Sequence, residues 1–265
     1  MMLPEPLTPE YLTSPAIPAR HGFFTRRGGT SRPPYDSLNC STSSADDPAA
    51  VAANRDAARQ SLGATTLLGL TQVHGTEVVT VTTPWPAGAG PRADAMVCAL
   101  PGLALGIVTA DCAPVLFHDP CARVIAAAHA GWRGALAGIL EATIAAMTAL
   151  GATAPNIAAA IGPTIAQSSY EVGPDLIGAI LAHNQADASF LAPHPTSNRP
   201  TSNRPGHLWF DLPGYCAARL AAAGITRIDR LGLDTASDPE RFFSHRRRTL
   251  HGGGPIGHML SAITL

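Results

Sequence analysis

The chain has 265 residues, 46% of them apolar, enough to bury one large core or two small ones. A net charge of −1 gives no electrostatic reason to expect a nucleic-acid or membrane partner. All 18 basic residues are arginine, which excludes a Schiff-base, pyridoxal-phosphate or P-loop lysine.

The N-terminus, Met1-Met2-Leu3-Pro4-Glu5, has neither the basic nor the apolar region of a secretory signal. Residues 1–20 are proline-rich and are expected to drape over the surface as an extension. Asp47-Pro48, ahead of Ala49 to Leu62 and Gly63, predicts a helix with an N-cap, a first-turn proline and a glycine stop. The apolar stretch from Ala95 to Ala110 is broken by Pro101-Gly102 and falls short of the roughly 20 residues a bilayer requires. Leu103 to Thr109 and Val124 to Ala128 read as short buried strands. Leu136, Ile139, Leu140, Ile144 and Met147 recur near the helical period and predict one amphipathic helix ending at Gly151.

Thr196-Ser197-Asn198-Arg199-Pro200 is repeated at once as Thr201 to Pro205, the mark of a solvated loop that tolerates insertion. Asp211, Pro213 and Gly224 bracket a further helix, and Thr226 to Leu233 follows as a strand. Alanine supplies much of the apolar content, so helices should pack closely on sheets, in an α/β or α+β fold. Five cysteines without a pairing pattern fit a reduced, cytoplasmic compartment.

Three residues sit in small, sharply turned contexts that suit a metal ligand: His74 in Thr71-Gln72-Val73-His74-Gly75, Cys112 in Ala110-Asp111-Cys112-Ala113-Pro114, and His129 in His129-Ala130-Gly131-Trp132-Arg133-Gly134. Two imidazoles and one thiolate form the donor set of a catalytic zinc site with a fourth position open. Taken singly, a histidine like His74 is usually structural and a cysteine like Cys112 usually a small buried hydrophobe, while Gly131 and Gly134 allow close approach at His129. A ligating Cys112 would be deprotonated and therefore no free nucleophile. Asp111 beside it either transfers a proton or holds a histidine in one tautomer.

Anions have two candidate anchors. The amides at Gly131 to Gly134 open a helix, with Arg133 among them. Arg26-Arg27 and His245-Arg246-Arg247 offer guanidinium forks, or else form a solvated rim. The Asn39 amide can read a purine edge or a ribose hydroxyl, or simply close a turn.

The same words, together with His21-Gly22-Phe23-Phe24-Thr25-Arg26-Arg27-Gly28-Gly29, Ser37-Leu38-Asn39, Ile161-Gly162-Pro163, Tyr170-Glu171-Val172-Gly173 and Phe242-Phe243-Ser244, resemble the laccase-domain family. Its members carry the labels multicopper polyphenol oxidase, purine nucleoside phosphorylase and peptidoglycan editing factor. The resemblance spans residues 21–265 and implies one α+β domain, two halves packed sheet to sheet in a four-layer α/β/β/α sandwich. It implies zinc on His74, Cys112 and His129. It also implies phosphorolysis of adenosine, inosine, guanosine and methylthioadenosine, with adenosine deamination as a companion reaction.

The resemblance leaves two alternatives. One is a hydrolase or editing factor, either with Cys112 and His129 as a thiol dyad or removing a wrong residue from peptidoglycan precursors. The other is a copper oxidase, against which no histidine is followed two residues later by another. The chain departs from the family pattern at His245, where a tyrosine is usual, and at His258, near an expected arginine.

Overall fold

The computed structural model describes residues 8–193 and 204–265. A five-stranded sheet runs in the order β1 (Tyr11–Leu12), β2 (Arg20–Phe24), β14 (Met259–Thr264), β6 (Leu103–Thr109), β3 (Thr66–Leu68). A six-stranded sheet runs β13 (Arg227–Arg230), β9 (Ala158–Ile161), β7 (Ala113–Asp119), β8 (Val124–Ala130), β5 (Ala95–Cys98), β4 (Val78–Thr80). A small antiparallel sheet joins β10 (Glu171–Val172), β12 (Leu208–Phe210) and β11 (Leu191–Ala192).

The side-chain period of two sorts each strand between two cores. In β8, Val124, Ala126, Ala128 and Ala130 face one core, while Ile125 and Ala127 face another. The second core also takes Leu105 and Ile107 of β6, Ile263 of β14 and Phe23 of β2, so it lies between the two large sheets. Behind the six-stranded sheet pack α2 (Trp132–Ala137), α3 (Ile139–Ala149) and α5 (Leu212–Ala222). Behind the five-stranded sheet packs α1 (Pro48–Ser61), whose Ala58 meets Ala104, Leu260 and Ala262. The order is helix, sheet, sheet, helix, and the fold is α+β. The strand alanines let the helices sit close, as their abundance implies.

Asp47 caps α1 by accepting from the Ala49 amide at 2.9 Å, with Pro48 in the first turn. Strands β6 and β8 fall on the predicted runs, β8 reaching two residues further, to Ala130. Three expectations differ. The predicted long helix is two helices, because Gly138 adopts φ +100° and breaks the hydrogen-bond ladder between α2 and α3. The strand expected from Thr226 to Leu233 is limited to β13, where it pairs with β9. Finally, the described part of the N-terminal segment does not merely drape. Its β1 pairs antiparallel with β2, and Ser14 and Ile17 are buried. The duplicated segment lies outside the described residues except for Arg204 and Pro205.

All five cysteines are free, and no helix among the described residues is long and apolar enough to cross a membrane.

Candidate metal centre and its cavity

The β7–β8 hairpin pairs Ala113 with Ala130 and Pro114 with His129, so Cys112, just ahead of β7, arrives beside His129. His74 comes from a separate turn and adopts φ +60°, a conformation costly for a non-glycine residue. One atom from each of the three side chains lies within 4.8 Å of the others, and the His74 Nε2 to Cys112 Sγ distance is 3.9 Å. Among the described residues this is the one such group of three or more. The His74 and His129 rings meet edge to face, centroids 4.7 Å apart.

Asp94 holds this arrangement together, and nothing in its sequence context singled it out. It is wholly buried at the head of β5. Its carboxylate accepts His129 Nδ1–H at 2.8 Å, and the amides of His74 at 2.9 Å, Gly75 at 2.6 Å and Val73 at 3.2 Å. One side chain thus fixes the His129 tautomer, leaving Nε2 as the donor atom, and also pins the strained His74 turn. The available signal was a lone carboxylate between Ala93 and Ala95 at the start of an apolar run, since a buried charge needs several partners.

Gly131 supplies the space. A Cβ there would stand 2.9 Å from His74 Cδ2 and 3.1 Å from Cys112 Sγ. The electrostatics suit a cation. Burial would raise the Cys112 thiol, but the charges and hydrogen bonds of His129 and His74 outweigh it and lower Cys112 to about 6. Burial would likewise lower His129, but Cys112 and Asp94 raise it to about 9. Burial opposes ionisation of Asp94 too, yet the bonds from His129, Gly75 and His74 keep it below the usual carboxylate range. A thiolate, two imidazoles and a carboxylate-fixed tautomer fit zinc; two nitrogens and one sulfur are its ordinary ligands.

The triad opens into a cavity of about 540 Å³ where β6 ends and β7 begins. Arg133, Tyr170, Arg246, His245 and His258 line it as well. Arg133 is exposed and lies 4.3 Å over the Trp132 ring. Arg246, on α6 (His245–Leu250), donates Nη2–H to the Glu171 carbonyl at 2.6 Å and lies 5.4 Å from the Tyr170 ring centroid. Burial chiefly, with the Cys112 charge, pushes the Tyr170 hydroxyl up, so it remains a protonated donor.

The remaining sequence-based candidates sort differently. Asp111 lines the cavity but holds no histidine tautomer, because Asp94 does that. Its oxygens accept Thr235 Oγ1–H at 2.7 Å and the Arg246 amide at 2.5 Å, anchoring α6. Arg26 is not brought to the cavity. Its guanidinium binds Asp36 and the Pro239 carbonyl and stacks 4.5 Å over Phe243. Asn39 is fully buried and closes a turn: Nδ2 donates to Ser44 and Asp46, and Oδ1 accepts the Ser41 and His258 amides. It builds the cavity wall without lining it.

The family model described as multi-copper polyphenol oxidoreductase laccase matches residues 20–265. A Pseudomonas aeruginosa protein named purine nucleoside phosphorylase is 40% identical over 247 residues, covering 93% of this chain and 94% of its own. One of the same name from Deinococcus radiodurans is 38% identical, covering 96% of this chain and 92% of its own. A crystal structure of a Neisseria meningitidis protein superposes with a TM-score of 0.82 at 32% identity, covering 98% of this chain and 99% of its own.

Proposed function

The chain belongs to the family described as multi-copper polyphenol oxidoreductase laccase, and from that premise we propose that it is a zinc-dependent purine nucleoside phosphorylase. The observation that carries the reading is one cavity holding both a His-His-Cys donor set and the guanidinium of Arg133, which has no ion-pair partner among the described residues. Relatives named purine nucleoside phosphorylase support the reaction type. A single donor set of three among the described residues, including a thiolate, supports one zinc rather than several coppers.

His74, Cys112 and His129 hold the metal, which when bound acts as a Lewis acid toward a substrate atom or a water. Arg133 and Arg246 bring two positive charges to the cavity, suited to the oxygens of inorganic phosphate. Tyr170 adds a neutral hydroxyl donor beside them. Their task is to place phosphate against the anomeric carbon of a bound nucleoside, so that forming the C–O bond displaces the purine. Asp111 keeps Arg246 in position through its grip on the first turn of α6. Adenosine, inosine, guanosine and methylthioadenosine are the substrates; a separate attack of water on C6 of adenosine, with ammonia leaving, gives inosine as a side reaction.

Incubation of zinc-loaded protein with adenosine, with and without phosphate, tests this. Adenine and ribose 1-phosphate should form only when phosphate is present, and inosine in its absence marks deamination. If all four nucleosides persist unchanged, the reading is wrong.

A further inference from the structure

Three histidines of the cavity are held on three different terms. His129 gives its Nδ1 proton to Asp94 and keeps Nε2 for the metal. His245 accepts from the Arg248 guanidinium at Nδ1, 3.0 Å away. A guanidinium only donates, so the His245 ring proton sits on Nε2. For His258, Nδ1 is buried with no partner among the described residues, and the ring lines the cavity.

The main chain of His258 is, by contrast, tightly held. Its amide donates to Asn39 Oδ1 at 3.0 Å, and its carbonyl accepts the Cys40 amide at 3.1 Å. The same Asn39 oxygen accepts the Ser41 amide at 3.2 Å, and Ser41 and Ser43 also line the cavity. The protein therefore fixes where the ring stands and gives its buried Nδ1 no partner among the described residues. Most buried polar atoms find a partner in protein or ordered water, so an orphaned ring nitrogen in the wall of a cavity leaves hydrogen-bonding capacity for a ligand. Burial first, then the charges of His129, His245 and Arg248, lower His258 to about 4, so the ring is neutral near pH 7. A neutral imidazole carries one donor and one acceptor. With no partner to fix the proton, both tautomers are open to it.

We propose that His258 is the nucleoside-reading residue of the cavity, hydrogen-bonding the purine edge and serving 6-amino and 6-oxo purines alike because its tautomer is unassigned. A 6-amino group donates and meets the ring as acceptor; a 6-oxo group accepts and meets it as donor. This rests on the nucleoside reading above and adds the residue that sets substrate breadth. Asn39 acts as a positioning residue through its bond to the His258 amide.

The test compares zinc-loaded wild type, His258→Ala and His258→Gln, measuring KM for adenosine, inosine and phosphate. His258→Ala should raise both nucleoside KM values about tenfold, the worth of one neutral hydrogen bond. Phosphate KM should stay within about twofold, since phosphate meets the arginines instead. Zinc content should not change. His258→Gln, whose amide presents oxygen or nitrogen by rotation, should recover most of the affinity for both nucleosides. Unchanged nucleoside KM in His258→Ala, a loss confined to one nucleoside, an equal loss for phosphate, or no recovery in His258→Gln would each overturn the proposal. Calorimetric binding of adenosine to the same three proteins separates it from the phosphorylase reading. A wild type that binds adenosine without turnover ends phosphorolysis alone, and the affinities of the variants then decide His258. A wild type that binds no adenosine overturns both.

Discussion

On the sheet side of the cavity, each donor group is tied down. Asp94 fixes His129 and the His74 turn, and the β7–β8 hairpin delivers Cys112. Elsewhere on the lining, Arg133 stacks on the Trp132 ring without a hydrogen bond or ion pair among the described residues, and His258 Nδ1 has no partner among them. The first region is organised before any ligand arrives, which keeps the reorganisation cost of binding a metal low. The second keeps its hydrogen-bonding capacity unspent, which is what a substrate requires. The two differ in support: the groups that would hold a metal are tied from behind, whereas His258, proposed to read the nucleoside, is held through its backbone.

Removing a tied group should cost the most. Cys112→Ala should abolish zinc retention and lower turnover by at least about a hundredfold, since losing a ligand exceeds losing its support. Cys40, Cys98, Cys121 and Cys216 should tolerate alanine without loss of zinc, measured by elemental analysis. Asp94→Asn should weaken zinc affinity by roughly 10–100-fold, read by chelator competition, as expected for a carboxylate that orients a ligating histidine. Full affinity in that variant would break the contrast at its base.

Proton linkage gives a further handle. Cys112 is lowered to about 6 and His129 raised to about 9, so between these values the pair is thiolate and imidazolium. Zinc must displace the His129 proton there, and below about 6 it must displace the Cys112 proton as well. These two groups should make affinity rise about tenfold per pH unit from 6 to 9, and about a hundredfold per unit below 6. A flat profile from pH 6 to 9 would mean that the two do not form this pair.

Among the substrate groups, Arg133→Ala should raise phosphate KM about tenfold while leaving zinc content intact, the loss of one charge-assisted hydrogen bond. The smallest effect belongs to Arg26→Ala. Its guanidinium serves Asp36 and Pro239 away from the cavity, so both KM values should stay within about twofold.

How much of this was legible varied with the range of the interactions. The α1 cap reads directly because Asp47 and the Ala49 amide are two residues apart. The triad reads from short words because small residues crowd each ligand, and Gly131 shows why: a side chain there would collide with two ligands. Asp94 was missed because its partners, at His129 and His74, come from other segments. Asn39 was read as a reader or a turn, and its bond to His258 crosses 219 positions, beyond any local signal. Arg26 sits in a conspicuous basic word, yet Asp36, ten residues on, and the distant Pro239 and Phe243 pull it elsewhere.

In the proposed reaction the tied donor set, once metal-loaded, and the unspent cations act together in phosphorolysis. Protein stripped by chelator and reloaded separately with zinc or copper, then given inosine and phosphate, addresses it most directly. Hypoxanthine and ribose 1-phosphate should vanish on stripping and return with zinc alone. Full phosphorolysis by the stripped protein, or its restoration by copper and not zinc, would contradict the account.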